Sequence, residues 1–198
     1  MYAKRSFDII LAFLGILFLL PLFLIVSVLI IMDSNGGVFY KQIRVGRNMV
    51  DFELLKFRTM YLNSDRRGLL TVGSHDARIT RLGYWLRKYK IDELPQLFNV
   101  LKGDMSFVGP RPEVNKYVAL YDAQQQQVLS VKPGITDWAS IAFSDENELL
   151  EQSDDPENFY IKEIIPSKII KNLEYINKHD IWVDLTIIFL TLKKIMIR

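Results

Sequence analysis

Residues 9–32 read IILAFLGILFLLPLFLIVSVLIIM, 24 positions without a formal charge, interrupted by Gly15, Pro21 and Ser27. As a straight helix this stretch would reach about 36 Å at about 1.5 Å per residue, enough to cross a hydrocarbon core of about 30 Å. The segment is too long for the apolar core of a signal peptide, and no small-x-small cleavage site follows it. Pro21 sits at its centre. A proline there donates no backbone hydrogen bond and sets its ring against the carbonyl of Leu17, so a kink or break is expected. Lys4 and Arg5 precede the segment and Lys41, Arg44 and Arg47 follow it, so the positive-inside rule draws both ends toward the cytoplasm. Two topologies fit these residues: a plain single span, and a helix that enters, bends at Pro21 and leaves on the same side.

Outward from this stretch the chain reads as water-soluble, with length for one domain after residue 33. There is no cysteine, which excludes disulfides and thiolate metal sites. The net charge of +2 conceals a polarity: residues 41–90 carry 12 basic and 4 acidic side chains, whereas residues 91–160 carry 4 basic and 13 acidic. A basic half directly after an apolar segment suits anionic lipid, phosphorylated substrates or nucleic acid, and charge alone does not choose among them.

Val38 to Val45 and Val50 to Met60 read as two strands of a β-hairpin joined through Gly46, Arg47 and Asn48. Ser64 to Ser74 reads as a loop, and Ile79, Leu82, Gly83, Leu86 and Tyr89 recur at helical spacing. A second helix is expected from about Asp92 to Gly103, with Pro95 in its first turn and Gly103 as C-cap. Asn115 to Leu129 also reads as helical, and the acidic stretch Asp145 to Glu157 as a solvated helix or loop. From Ile181 to Arg198, a helix would place Asp184, Thr191, Lys194 and Arg198 on one stripe. Ile181, Leu185, Ile188, Leu192 and Ile195 would lie opposite. This stretch fits an interfacial helix in the head-group plane and a core helix equally well.

The residues best suited to chemistry are Asp92 and Glu93, side by side at an expected helix start behind Arg87, Lys88 and Lys90. Adjacent helical side chains point about 100° apart, so one could attack while the other holds a cation. An ionised aspartate can attack phosphorus; the plain alternative is an N-cap. Lys56 and Arg58, two apart on a strand, are expected on one face, and Arg111 is framed by Pro110 and Pro112, which pre-set its backbone. Arginine fits phosphate oxygens bidentately. A diphosphate beside two carboxylates calls for a divalent ion, and oxygen ligands with phosphate select Mg²⁺. Taken singly, each cation reads first as a surface charge. His75 and His179 form no metal-ligand spacing, and no phosphate loop, serine elbow or dinucleotide fingerprint is present.

Lys4-Arg5 and Asp8, Lys56-Phe57-Arg58-Thr59-Met60, Asp92-Glu93, the run Asn99 to Ser106, Val108-Gly109-Pro110-Arg111-Pro112 and Lys132-Pro133-Gly134-Ile135-Thr136 together resemble the bacterial sugar transferase family. These are the small monotopic phosphoglycosyl transferases, of which the Campylobacter-type N-glycosylation pathway enzyme is the minimal form. The likeness covers nearly the whole chain. It implies a predominantly helical α+β fold: a re-entrant membrane helix over 1–33 broken at Pro21, a short β-hairpin, and a helical catalytic domain over 34–198 on the cytoplasmic face of the bacterial inner membrane, including the interfacial helix 181–198. It implies transfer of a phosphosugar from a UDP-sugar to polyprenyl phosphate, usually undecaprenyl phosphate, with release of UMP, in the initiation of surface glycan assembly. The implied partners are these two substrates and the membrane, with no nucleic acid.

By the same resemblance Asp92 is the nucleophile that forms a covalent phosphosugar intermediate, Glu93 binds Mg²⁺, and Lys56, Arg87 and Arg111 contact phosphate. Two positions depart from the family pattern. Leu20 stands where many members have serine before the hinge proline, and Asp137-Trp138-Ala139-Ser140 replaces a run that commonly begins with glycine and ends with glutamine. Two rivals remain at this level: a non-enzymatic, membrane-tethered polyanion binder, and an enzyme in which Asp92 is a general base for direct attack by the lipid phosphate.

Overall fold

The computed structural model describes residues 2–64, 70–73 and 76–197. Most of the expected loop at 64–74 and His75 lie outside them. Helix α1 spans Tyr2–Asp33 with Pro21 inside it, and its apolar window, of mean hydropathy 3.2, is long and apolar enough to cross a membrane. The expected break at Pro21 is corrected to continuous helix. One proline removes one hydrogen bond and crowds one carbonyl, which bends a helix without ending it when both flanking halves are held by packing. Here both are held. Ala12 packs with Phe52, Leu54, Val100 and Met105, while Phe23, Val26 and Ile30 pack with Phe57 and Leu86. The remaining faces present Phe13, Leu17, Phe18, Leu24 and Met32 outward.

Strands β1 (Phe39–Val45) and β2 (Asp51–Phe57) form the expected antiparallel hairpin, Phe39 opposite Phe57 and Val45 opposite Asp51. Their link is a 3₁₀ turn at Arg47–Met49 with Asn48 and Met49 at positive φ. The second strand stops short of the expected Met60, and Arg58 does not join Lys56 beside Glu93. Its guanidinium instead closes the C-terminal end of α1, donating to the carbonyls of Asn35 and, at 2.7 Å, Ser34, where a cation also meets the negative end of the helix dipole.

Helix α2 (Arg81–Lys88) starts on Thr80, whose hydroxyl accepts from Gly83 N. Gly83 is required by close approach, since a Cβ there would lie 2.1 Å from the Thr59 carbonyl oxygen. The helix expected over 92–103 divides into a 3₁₀ turn at Ile91–Glu93 and α3 (Gln96–Lys102), which ends on Gly103 at φ 100°. Pro95 between them cannot donate, so regular α-helix begins after it.

Strand β3 (Ser106–Val108) pairs in parallel with β4 (Gly134–Thr136). Between them the helix expected over 115–129 is reduced to α4 (Asn115–Val118) and a 3₁₀ turn at Gln125–Ser130. Asp122 accepts from Gln125 N at 2.8 Å, and that local side-chain bond competes with helix continuation. The rest is helical: α5 (Trp138–Ala142), α6 (Glu146–Glu151), α7 (Pro156–Phe159), a π turn at Tyr160–Ile164, α8 (Ile165–Lys178) and α9 (Ile181–Ile197). Val114, Tyr117, Leu150, Tyr160, Ile165 and Ile169 form the core of this half.

Helix α9 turns Asp184 and Thr191 of its polar stripe toward the protein, together with buried Ile187. Asp184 is 2 % exposed, while Trp182 and Phe189 are 74 % and 65 % exposed. Asp184 pairs with Lys4 and accepts from the Tyr175 hydroxyl at 2.6 Å; Thr191 bonds Thr136 at 2.7 Å. The start of α1 is tied to the same seam. Arg5 donates to the carbonyls of Val100 (2.6 Å) and Leu101 (2.9 Å) at the end of α3, and one Asp8 oxygen accepts from the Ser106 hydroxyl and Phe107 N, each at 3.1 Å.

Candidate functional site

Five side chains singled out in the sequence come from four separate elements to one place. Lys56 lies on β2, Arg87 in the last turn of α2, Asp92 and Glu93 on the 3₁₀ turn, and Arg111 in the segment that leaves β3. Lys90, the residue before the turn, adopts the left-handed region at φ 57°. That reversal directs the chain inward, leaving Asp92 and Glu93 only 6 % and 8 % exposed.

Arg111 is aimed by its surroundings as well as by its prolines. Gly109 N donates to Thr136 O at 3.1 Å and Gly134 N to Pro110 O at 3.0 Å, so the start of the Pro-Arg-Pro segment is tied to both ends of β4. A Cβ on Gly134 would stand 2.1 Å from Gly109 N, which only glycine allows. Asp137, the departure from the family pattern, is fully buried and stitches this frame together: one oxygen accepts from Arg111 N at 3.1 Å and the other from Ser140 N at 2.6 Å. It thus caps α5 and fixes the Arg111 backbone.

The two adjacent carboxylates are treated in opposite ways. Glu93 is gripped by Arg111, Nη1 to Oε2 at 3.0 Å and Nη2 to Oε1 at 2.5 Å, and its Oε1 also accepts from Lys56 at 3.3 Å. Burial alone would raise the Glu93 pKa, but the Arg111 and Lys56 cations outweigh it and hold the carboxyl well below its usual range. Asp92 has no such grip, and its Oδ1 is buried without a hydrogen-bond partner. Burial and then the Glu93 charge push its pKa up, against the pull of Lys56, Lys90 and Arg87. This corrects the sequence expectation that a helix start and nearby cations keep Asp92 readily ionised. The N-cap alternative also fails, because the turn is capped by Lys90 and α3 begins at Gln96.

Lys56 is itself lowered to about 8 by burial, which the Glu93 charge only partly offsets. Arg87 donates to the Thr71 hydroxyl at 3.0 Å. Lys56, Arg87 and Arg111 all line one cavity of about 180 Å³, so the three expected phosphate ligands converge.

The cavity also exposes residues that sequence reasoning missed. Arg44 donates to Glu113 Oε1 at 3.0 Å, the Tyr160 hydroxyl donates to Glu113 Oε2 at 2.5 Å, and Lys168 pairs with Glu146. All five, with Ser140 and Asn172, line the same space. Their sequence separation leaves no local pattern; only Glu113, directly after Pro-Arg-Pro, carried a positional signal.

Among the described residues no group of three or more Asp, Glu or His side chains converges to hold a metal. Two oxygens are nevertheless free to serve: Asp92 Oδ1 has no partner, and Glu93 Oε2 accepts one bond from Arg111, leaving a lone pair. A pair of carboxylate oxygens fits Mg²⁺, which keeps waters and takes phosphate oxygens for the rest of its shell.

The chain matches the family described as bacterial sugar transferase over residues 1–198. It is similar to the undecaprenyl-phosphate glucose phosphotransferase of Komagataeibacter xylinus, 41 % identical over 98 % of this chain and 36 % of that protein. It is similar to the UDP-N-acetylgalactosamine-undecaprenyl-phosphate N-acetylgalactosaminephosphotransferase of Aeromonas hydrophila, 38 % identical over 98 % of this chain and 44 % of that protein. The chain thus spans less than half the length of these two relatives. It covers 89 % of a third, an uncharacterized sugar transferase, EpsL, of Bacillus subtilis, at 35 % identity over the whole of this chain.

Proposed function

The chain belongs to the bacterial sugar transferase family, and from that premise we propose that it moves a phosphosugar from a UDP-sugar to undecaprenyl phosphate at the cytoplasmic face of the inner membrane, initiating a surface glycan. The observation that carries this reading is the contrast at the site: a buried, partnerless Asp92 oxygen beside a Glu93 clamped by Arg111 and Lys56.

In the first step an Asp92 carboxylate oxygen attacks the β-phosphorus. An oxygen–phosphorus bond forms, the bond from that phosphorus to the bridging oxygen breaks, and UMP leaves with the electron pair. In the second, a phosphate oxygen of the lipid attacks the same phosphorus and frees the Asp92 carboxylate, leaving the sugar on a lipid diphosphate. Arg111, Lys56 and Arg87 bind the diphosphate charge and orient it. Glu93 holds the Arg111 fork in place and, with Asp92 Oδ1, would hold Mg²⁺, which when bound supplies further positive charge to the phosphoryl oxygens. The raised Asp92 pKa marks a carboxylate poorly solvated in the free protein, and such an oxygen is reactive when ionised.

The membrane helix is read as re-entrant, with a bend at Pro21 in place of the expected break. Support comes from both of its ends being held by one body: Arg5 and Asp8 bond α3 and β3 at one end, while Arg58 closes the other and Asp33 accepts from Leu82 N at 3.2 Å. A span with its ends on opposite leaflets would pull charged Lys56, Glu93 and Arg111 into hydrocarbon. The outward apolar face of α9 gives a second surface for the same leaflet. The phosphate of a lipid substrate would then meet the site at head-group depth.

Incubation with labelled UDP-sugar and no lipid acceptor is expected to load label onto Asp92 and release a stoichiometric burst of UMP. Release of UMP only when undecaprenyl phosphate is added, with no labelled protein, would sink the covalent reading in favour of direct transfer.

A further inference from the structure

We infer that Asn172 and Ser140 form the subsite that reads the sugar of the donor, by hydrogen bonds to a hydroxyl or acylamino group on the ring. The inference rests on the phosphosugar-transferase reading and deepens it. Asn172, on α8, is 6 % exposed, and its Oδ1 has no hydrogen-bond partner; neither has the buried Ser140 Oγ on α5. Both residues line the cavity that Lys56, Arg87 and Arg111 also line. Buried acceptors left open in a folded protein are uncommon and ask for a ligand or a water.

Mechanism decides which part of the donor belongs here. The sugar is bonded directly to the phosphate that Asp92 attacks, so it remains next to the diphosphate cations throughout both steps. UMP is the leaving group and must depart before the lipid enters. A cavity continuous with Lys56 and Arg111 and supplied with fixed polar groups therefore suits the retained sugar. Its volume of about 180 Å³ lies below the usual range of about 300–1,000 Å³ for pockets that take drug-sized ligands, consistent with one ring rather than a nucleoside and a sugar together. Apolar Leu150, Ile165 and Ile169 complete the wall and strengthen hydrogen bonds made inside it. Asp137 holds Ser140 N at 2.6 Å, so the same residue that fixes the Arg111 backbone also fixes one wall of the sugar subsite.

The test measures UMP release by the full chain in nanodiscs with undecaprenyl phosphate, over UDP-glucose, UDP-galactose and their N-acetylated counterparts. Asn172→Ala is expected to lower kcat/KM for the preferred donor by about tenfold and to compress the ratios between donors, and Ser140→Ala to shift those ratios independently. Inhibition by UDP, which lacks the sugar, should be unchanged in both. A purely structural role would depress all donors alike. Variants that fold and retain the wild-type ratios would show that the open acceptors hold only water and overturn the proposal; a weakened UDP inhibition would overturn it in favour of the nucleoside. Asn172→Ser supplies the same comparison should the alanine variant not fold. Wild-type protein that releases UMP from no donor would overturn the transferase reading itself, a result distinct from active protein with unaltered ratios.

Discussion

The acids beneath α1 and α9 and the two acids beside the cavity-lining cations are buried to similar depth, yet their hydrogen bonding is tied up in one place and left open in the other. In the seam, Asp184 gives one oxygen to Tyr175 and the other to Lys4, and a single Asp8 oxygen takes two donors. Around the cavity-lining Lys56 and Arg111, Glu93 is gripped by both cations, but Asp92 Oδ1 beside it, and Ser140 Oγ and Asn172 Oδ1 in the cavity wall, have nothing. A completed network spends its polar groups on holding elements together. An incomplete one keeps a group costly to bury and available to something that arrives later.

The sharpest way to break this comparison is Asp92→Asn. UMP release should fall by at least about 10⁴-fold, as expected when a nucleophile is removed, while membrane association persists. Stability should move the other way. The folded pKa of Asp92 is raised, so the folded state holds that proton more tightly and the ionised carboxylate opposes folding above the usual carboxylate range. The amide removes that opposition, and the melting temperature at pH 7 should stay level or rise. Retained turnover would remove Asp92 from the mechanism. Next in size is Arg111→Met, which strands a buried Glu93. Stability should drop by about 3–5 kcal/mol in a chemical-denaturation comparison, and kcat/KM by roughly 10²-fold or more. A stable Arg111→Met protein with normal turnover would mean that the Arg111–Glu93 fork neither holds the fold nor binds substrate.

A smaller, graded effect should come from pH through Lys56. Its folded pKa is lowered to about 8 from an ordinary 10.5, so the cation proposed to bind diphosphate is lost as pH rises through about 8. The KM for UDP-sugar should climb several-fold between pH 7.5 and 9 in steady-state assays, and Lys56→Arg, which stays charged, should flatten that limb. For stability the sign is opposite. Between about 8 and 10.5 the unfolded chain binds this proton more tightly, so the contribution of Lys56 to stability rises with pH over that window. A KM that is flat across the same range in the wild type would take Lys56 off the diphosphate.

How much of this was legible in the sequence depended on whether the signal was local. The hairpin followed from alternation and turn residues, and the Pro-Arg-Pro frame from fixed φ angles. The five charged residues that come together here were singled out because they sit in short motifs. Arg58 shared a motif with Lys56 and was misread, since its guanidinium is taken by the carbonyls of Ser34 and Asn35, just past the end of α1 and some 23 residues earlier in the chain. The treatment of Asp92 was misread for a similar reason: the helix start that should have favoured its charge is shifted by Pro95 to Gln96, and burial by distant elements dominates. Asn172 and Lys168 carried no local signal, because the cavity they line is assembled only when α8 packs against α5. For α9 the stripes were legible but their direction was not, because Asp184 is drawn inward by Lys4 and Tyr175 from elements distant in the chain.

The seam offers the smallest and most discriminating effect. Asp184→Asn keeps the shape of the side chain but removes the charge that faces Lys4, and the Tyr175 hydroxyl can still donate to the amide oxygen. Lys4 is partly exposed, with 29 % of its side chain accessible, so water can replace much of what it loses. The expected cost is therefore about 1–2 kcal/mol, read as a lowered melting temperature in the membrane-bound protein. UMP release per folded molecule and the ratios between donors should be unchanged, because no atom of Asp184 faces the cavity. A selective fall in turnover with no loss of stability would invert the comparison, giving the seam a part in catalysis through Tyr175, whose hydroxyl oxygen also lies 3.3 Å from the Val108 carbonyl, three residues before Arg111.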